Sequence, residues 1–271
     1  MLVGSSMMVE IGTRTLFEVI YEDADMLVVN KPAGLVCHPT KTDEYSSLIS
    51  RVRLYLGKGS NPQLVNRLDR ETAGVTVIGK AESAARDLRR IWEARQAQKD
   101  YLAIVHGHIR ASIGTIAAPL GKDVQSRVAI KDCVRPDGAA AETKFEVERQ
   151  FSRRANSNQD DVQDFSLVRA RPRTGRKHQI RIHLAHLGHP IVGDKLYGGN
   201  EDLYLALVGG RLTDEQRRTL ILPYHALHAM ELQFDWRGEV KKFRAEPERW
   251  LMEFLESTSC EELKAEGAAK S

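Results

Sequence analysis

Apolar and polar positions alternate with period two in several short runs of this chain. FEVIYED (17–23) and MLVVNKP (26–32) read as two strands around a tight Ala24-Asp25 connection, a hairpin, with Pro32 and Gly34 ending the second. VTVIGK (75–80), YLAIVHGHI (101–109), ETKFEVERQF (142–151) and DFSLVRARP (164–172) read as further strands, and so do ALHAMELQFDW (226–236) and KKFRAE (241–246). Helical spacing occurs in SSLISRVRLYLG (46–57), SAARDLRRIWEARQ (83–96), RKHQIRIHLAHLG (176–188) and PERWLMEFLES (247–257). In the third, Ile180, Leu184 and Leu187 share a face, and the fourth starts with Pro247 in its first turn. Strict β-α-β alternation is absent, which favours an α+β fold with a mixed, mostly antiparallel sheet over a doubly wound one. ANSNQDD (155–161) predicts a surface loop at a hairpin tip. We expect a flexible segment over 1–14, one domain over 15–257 and a polar tail over 258–271.

Composition changes this picture little. Apolar residues make up 42% and charged residues 28% of 271 positions, ordinary for a soluble globular protein. The net charge is only +3, so the local distribution of charge has to indicate the partner. Cys37, Cys133 and Cys260 are far apart and form no C-x-x-C pair, which argues against a disulfide framework or a zinc knuckle and fits a cytoplasmic protein. No apolar stretch is long enough to cross a bilayer, and no signal peptide is recognisable.

The charge is concentrated in residues 165–193. This stretch holds Arg169, Arg171, Arg173, Arg176, Lys177 and Arg181 with no Asp or Glu, and four of the nine histidines. Arg176, Lys177 and His178 fall in the first turn of the helix predicted there. Cations at that end oppose the macrodipole by roughly 0.3–1 kcal/mol each, unless an anion docks on the free N–H groups. A solvated basic face is the bland alternative; a nucleic-acid backbone would use the whole run. His183, His186 and His189 are spaced by three, but without a nearby carboxylate or an H-E-x-x-H pattern a metal site is not expected.

A second segment, LVNRLDRETAGVTVIGK (64–80), sets Asp69 between Arg67 and Arg70 just before a strand. By itself this reads as a charged turn. Beside a fixed guanidinium, however, Asp69 would stay ionised while partly buried, and could act as a nucleophile or stabilise a developing cation.

Five blocks resemble those of the RluA-type pseudouridine synthases, in that family's order. NRLDRETAG (66–74) is similar to H-R-L-D-x-x-T-S-G, and TGRKHQIRIHLAHLGHPIVGDKLYG (174–198) to T-G-R-x-H-Q-I-R-x-H-…-G-H-P-I-x-G-D-x-x-Y-G. NKPAGLVCHP (30–39), KDYLAIVHG (99–107) and LHAMELQF (227–234) match the remaining three. Asn66 and Ala73 depart from the family's His and Ser.

The resemblance implies a pseudouridine synthase fold: a long mixed sheet, flanking helices and a central catalytic cleft, with no S4-type RNA-binding domain. It implies isomerisation of uridines in ribosomal or transfer RNA without cofactor or metal; a monomer is expected of a domain that closes its own core. Asp69 becomes the catalytic carboxylate, as nucleophile, base or electrostatic stabiliser; Arg181 its ion-pair partner; and Tyr101 the residue stacked on the base. Arg67 would fill the space left by the flipped uridine, Ile180 would wall the uracil, and Arg176, Lys177 and His178 would hold the RNA backbone. Lys31 and His38 line the cleft or serve a structural turn. The competing readings are a non-catalytic RNA-binding protein on the same fold and a glycosidase-like hydrolase, which would need two cooperating carboxylates.

Overall fold

The computed structural model describes residues 7–11, 14–39, 45–154 and 162–256. In chain order the elements are β1 (Met7–Ile11), β2 (Arg14–Glu22), β3 (Met26–Lys31), α1 (Leu48–Leu56), β4 (Gln63–Leu64), β5 (Ala73–Gly79), α2 (Glu82–Glu93) and β6 (Gln98–His106). There follow β7 (Ile113–Ala117), β8 (Leu120–Lys122), β9 (Asp132–Val134), β10 (Glu142–Arg154), β11 (Val162–Pro172), α3 (Gln179–His186), α4 (Asp202–Val208) and α5 (Asp214–Leu220). The last are β12 (Leu227–Trp236), β13 (Glu239–Arg244) and α6 (Arg249–Glu256). The chain forms two compact units, one of Met1–Tyr101 with His228–Glu248, the other of Leu102–Leu227 with Arg249–Ser271. The stretch read from sequence as one domain over 15–257 therefore contains both.

In the first unit the strand order is β1-β2-β3-β5-β12, with β4 on β5 and β13 on β12. The β2–β3 hairpin turns as expected at Ala24-Asp25, where the Asp23 carboxylate accepts from Asp25 N (2.8 Å) and Met26 N (2.7 Å). Neighbours are antiparallel except β5 and β12, which run parallel through His228↔Ala73 and Ala229↔Gly74. Both β3 and β5 are buried along their whole length, so period two sorts their side chains between two cores. Leu27, Val29 and Ile78 pack with Leu48, Ile49 and Val52 of α1. Met26, Val28, Val75 and Val77 pack with Leu88 of α2 and with Phe234 and Phe243. Ser47 caps α1 by accepting from Ser50 N.

The second unit orders its strands β6-β11-β10-β7, and β8 and β9 form a small separate sheet. β10 and β11 are an antiparallel pair from Thr143↔Pro172 to Arg154↔Val162, bulged between Val147 and Arg149. The loop predicted at 155–161 joins them and lies outside the described residues, as does the tail over 258–271. The α+β class and the mixed, mostly antiparallel pairing match the sequence reading.

Two expectations need correction. Residues 7–11, read as part of a flexible segment, form β1 against β2, although Met7 and Met8 stay exposed and Val9 alone of its first three residues is buried. Backbone pairing with β2 and the burial of Val9 hold this strand. The helix expected over 176–188 is α3, which starts only at Gln179. His178 has φ 55°, in the left-handed region, and interrupts the helical run. Arg176, Lys177 and His178 therefore occupy the preceding turn and not the first helical turn.

Candidate active site

Asp69 sits on a loop held from both sides. On entering it, Asn66 takes the place of a strand neighbour: its Oδ1 accepts from Val77 N (2.7 Å) and its Nδ2 donates to Val75 O (3.3 Å). The residue that departs from the family pattern thus anchors the loop to β5. Leu68, just before Asp69, is gripped by Cys37: the buried thiol donates to Leu68 O (3.3 Å) and accepts from Leu68 N (3.4 Å). Just after Asp69, Arg70 O accepts from Lys31 Nζ at 3.2 Å. The same ammonium donates to Leu35 O (2.7 Å) and Pro32 O (2.8 Å). Thr72 N closes the turn on Asp69 O (3.2 Å).

Two glycines permit this arrangement. Gly34, at φ 83°, turns the chain so that the Pro32 and Leu35 carbonyls converge on Lys31. Gly74 has φ 117°, and a Cβ there would meet Ala229 O at 2.2 Å, so no other residue lets β12 lie beside the end of the loop. Of the two roles considered for Lys31 from sequence, the structure assigns the structural one: its side chain is fully buried. His38 is exposed and lines a groove with Arg67, away from any such clamp.

Burial pushes the Lys31 ammonium down to about 8, against the negative charges of Glu248 and Asp69, which raise it. Tyr101, half-buried on β6, has its phenol pushed up, by burial first and then by the Asp69 charge. The hydroxyl therefore keeps its proton, within the field of the Asp69 carboxylate.

The Lys31 value carries a stability prediction. The folded-state value of about 8 lies below the roughly 10.4 of an unfolded lysine. Between those pH values the unfolded chain holds more protons, so this group makes stability rise with pH. Urea unfolding of wild type from pH 8 to about pH 10 should gain more stability than Lys31→Met over the same window. The variant should also be several kcal/mol weaker throughout, since three carbonyls lose their donor at roughly 1–3 kcal/mol each. Parallel pH profiles would overturn the assignment.

In the second unit, α3 presents Arg181, buried together with Ile180. Its Nε and Nη2 donate to Asp194 Oδ2 (2.7 Å) and Oδ1 (2.9 Å), a bidentate pair with both side chains almost wholly buried. Asp194 also accepts from Leu196 N (2.9 Å) and Tyr197 N (3.0 Å). Burial acts to raise the Asp194 carboxyl, but the Arg181 charge and hydrogen bonds, with His225, outweigh it and hold Asp194 well below the usual range. The Arg181 guanidinium lies 5.0 Å from the Tyr197 ring centroid, and the Tyr197 hydroxyl bonds His178 Nδ1 at 2.8 Å. Asp194 and Tyr197 belong to the GDKLYG part of the matched block, yet sequence reasoning gave neither a role. The signal was there: Asp194 is the first acid after the acid-free run.

That run is less one-sided in space than along the chain. Arg169 pairs with Glu148 (2.5 Å), Arg171 with Glu146 (3.2 Å) and Arg173 with Glu142 (3.3 Å), all across the β10–β11 hairpin. Lys177 pairs with Asp132 (2.9 Å), while exposed Arg176 donates to Ala140 O (3.2 Å). The histidines also separate: buried His183 binds Thr143 Oγ1 (2.9 Å) and Ala118 O (3.0 Å), and His189 binds His106 O (2.8 Å). Among the described residues no group of three His, Cys, Asp or Glu side chains gathers, and no helix is long and apolar enough to cross a membrane.

The comparisons with known proteins agree with this picture. Residues 25–186 match the family model described as RNA pseudouridylate synthase. The chain is 33% identical over 248 residues to the uncharacterized RNA pseudouridine synthase YlyB of Bacillus subtilis, covering 89% of this chain and 72% of that one. It is 34% identical over 241 residues to the ribosomal large subunit pseudouridine synthase C of Salmonella typhi, covering 88% and 69%. The match to an uncharacterized RNA pseudouridine synthase of Aquifex aeolicus spans 55% of that protein, so some relatives extend well beyond the matched stretch. Among solved structures, human RNA pseudouridylate synthase domain containing 1 superposes with a TM-score of 0.66 at 25% identity, over 91% of this chain and 92% of that one.

Proposed function

We propose a reaction course on the premise that the chain belongs to the RNA pseudouridylate synthase family and is an RNA-modifying isomerase. In it Asp69 is the essential carboxylate. The N1–C1′ bond of a target uridine breaks, the uracil turns, C5 bonds to C1′, the C5 proton leaves, and N1 takes up a proton. Nothing is added or removed overall. Asp69 attacks or deprotonates the ribose, or stabilises its cationic transition state. Tyr101, protonated and in the field of Asp69, stacks on the base. Arg181 is the guanidinium that the family resemblance assigns to the site, its plane fixed by Asp194 and Tyr197, and Ile180 contributes apolar wall. Arg67 enters the space vacated by the flipped uridine.

The observation that carries this reading is the bracing of Asp69 between the Cys37 grip on Leu68 and the Lys31 grip on Arg70. A surface turn needs no such anchoring; a carboxylate that must meet a ribose carbon in one geometry does. Ribosomal RNA is the substrate class we favour, following the ribosomal name of the Salmonella typhi relative, with transfer RNA as the other outcome. We place the protein in the cytoplasm as a monomer, which size-exclusion chromatography of the purified chain tests.

The deciding experiment is pseudouridine mapping of total RNA from cells with and without the gene. Loss at defined uridines, restored by wild type and not by Asp69→Ala, supports the reading and names the substrate. Restoration by Asp69→Ala, or a purified enzyme that binds RNA without turnover, would favour a binding protein on the same fold. The basic turn makes a graded prediction. Arg176→Ala should lower the salt slope of RNA binding by about 0.7–0.9. Lys177→Ala should lower it less, because Lys177 must first leave Asp132. Unchanged slopes in both would place the RNA elsewhere.

A further inference from the structure

A groove of about 490 Å³ adjoins the Asp69 loop within the first unit. Arg53 from the last turn of α1, Arg67 from the loop and Arg89 from α2 all line it, with His38, Asn61 and Gln63, and no carboxylate is among its lining residues. Arg89 is held by neutral acceptors, Gln63 Oε1 at 2.6 Å and Leu64 O at 3.4 Å, which orient the guanidinium without cancelling its charge. Arg53 and Arg67 are exposed. The His38 imidazole is pushed down by burial and then by the Arg67 and Arg53 charges, which sets its ring in the field of both.

This differs from the other arginine-rich surface of the molecule. On the β10–β11 hairpin each arginine of the row Arg169, Arg171 and Arg173 faces a glutamate. In the groove three like charges converge without one. A place in the last helical turn accounts for Arg53 through the macrodipole, but not for its convergence with Arg67 and Arg89. The Arg89 guanidinium, held in plane beside two amide side chains, and the exposed Arg53 match a phosphate, which takes several donors at once.

We propose that this groove binds a backbone phosphate of the RNA substrate. Arg67 stands two residues before Asp69, so the phosphate belongs to a nucleotide close to the target uridine. The inference rests on the reaction reading above and adds a second anchoring point for the RNA, separate from the basic turn at Arg176. Inorganic phosphate is the other source of the same chemistry.

The test compares wild type, Arg53→Gln and Arg53→Lys in filter binding to purified ribosomal RNA over a range of salt. Thermal melting confirms that each variant is folded. Arg53→Gln should lower affinity several-fold and reduce the salt slope by about 0.7–0.9. Arg53→Lys should keep most of the slope. Slope and affinity of Arg53→Gln equal to wild type would overturn the proposal. A second arm titrates inorganic phosphate at constant ionic strength. Phosphate that stabilises wild type against melting but not Arg53→Gln, with RNA slopes equal, assigns the groove to the free anion and overturns the RNA assignment. If wild type itself forms no pseudouridine the reaction reading fails, while the Arg53 comparison of binding still stands or falls alone.

Discussion

Asp69→Ala should lower single-turnover pseudouridine formation by on the order of 10⁴-fold or more, while RNA affinity stays within about twofold. Both halves follow from how the loop is held. Three anchors act on the backbone of Leu68 and Arg70 and on the Asn66 side chain. Truncating Asp69 leaves those three anchors in place and removes the reacting group. The RNA contacts assigned to Arg53, Arg67 and Arg176 are untouched. Quench-flow with radiolabelled RNA measures the first quantity and filter binding the second. Activity within tenfold of wild type would remove Asp69 from the chemistry.

Asp194→Ala should behave in the opposite way, with stability lost first. Breaking a buried ion pair from one side costs about 3–5 kcal/mol, and the N–H groups of Leu196 and Tyr197 lose their acceptor as well. A loss of that size is a large fraction of a domain's net stability, so the urea midpoint should fall sharply. Asp194→Asn keeps the shape and one acceptor, and should lose less. The sign with pH follows from the depressed carboxyl. The folded state holds Asp194 below its unfolded value of roughly 3.9, so the contribution is full above about pH 4 and fades as pH falls further. The difference between wild type and Asp194→Asn should therefore shrink in acid. A difference independent of pH down to pH 2 would mean that Asp194 is not held ionised by Arg181.

Much of the fold was legible because its long strands repeat the two-residue period several times. β3, β5, β10, β11 and β12 all fall close to where alternation put them. β4, β8 and β9 span two or three residues, too short for a period to register. α4 and α5 have seven residues each, less than two turns. α5 did carry a readable signal, Thr213 followed by Gln216, which forms a capping box. The start of α3 was misplaced because helical spacing continues through Arg176–His178, while the left-handed backbone of His178 comes with a side-chain contact to Tyr197, nineteen residues away.

The residue types, their order and their blocks were determined by the sequence alone. That includes a carboxylate at Asp69 ahead of a strand, a basic run with Arg181 inside it, and a mostly antiparallel α+β chain. Only the tertiary structure decided which charges are already satisfied. Lys31 proved to be the donor that ties Pro32, Leu35 and Arg70 together, the acid-free run found its glutamates on β10, and Arg181 found Asp194. The physical reason is range. Periodicity and caps act over a few residues and can be read along the chain. A buried ammonium, a bidentate ion pair or a charge ladder depends on strand register and on burial, which exist only once distant segments have met.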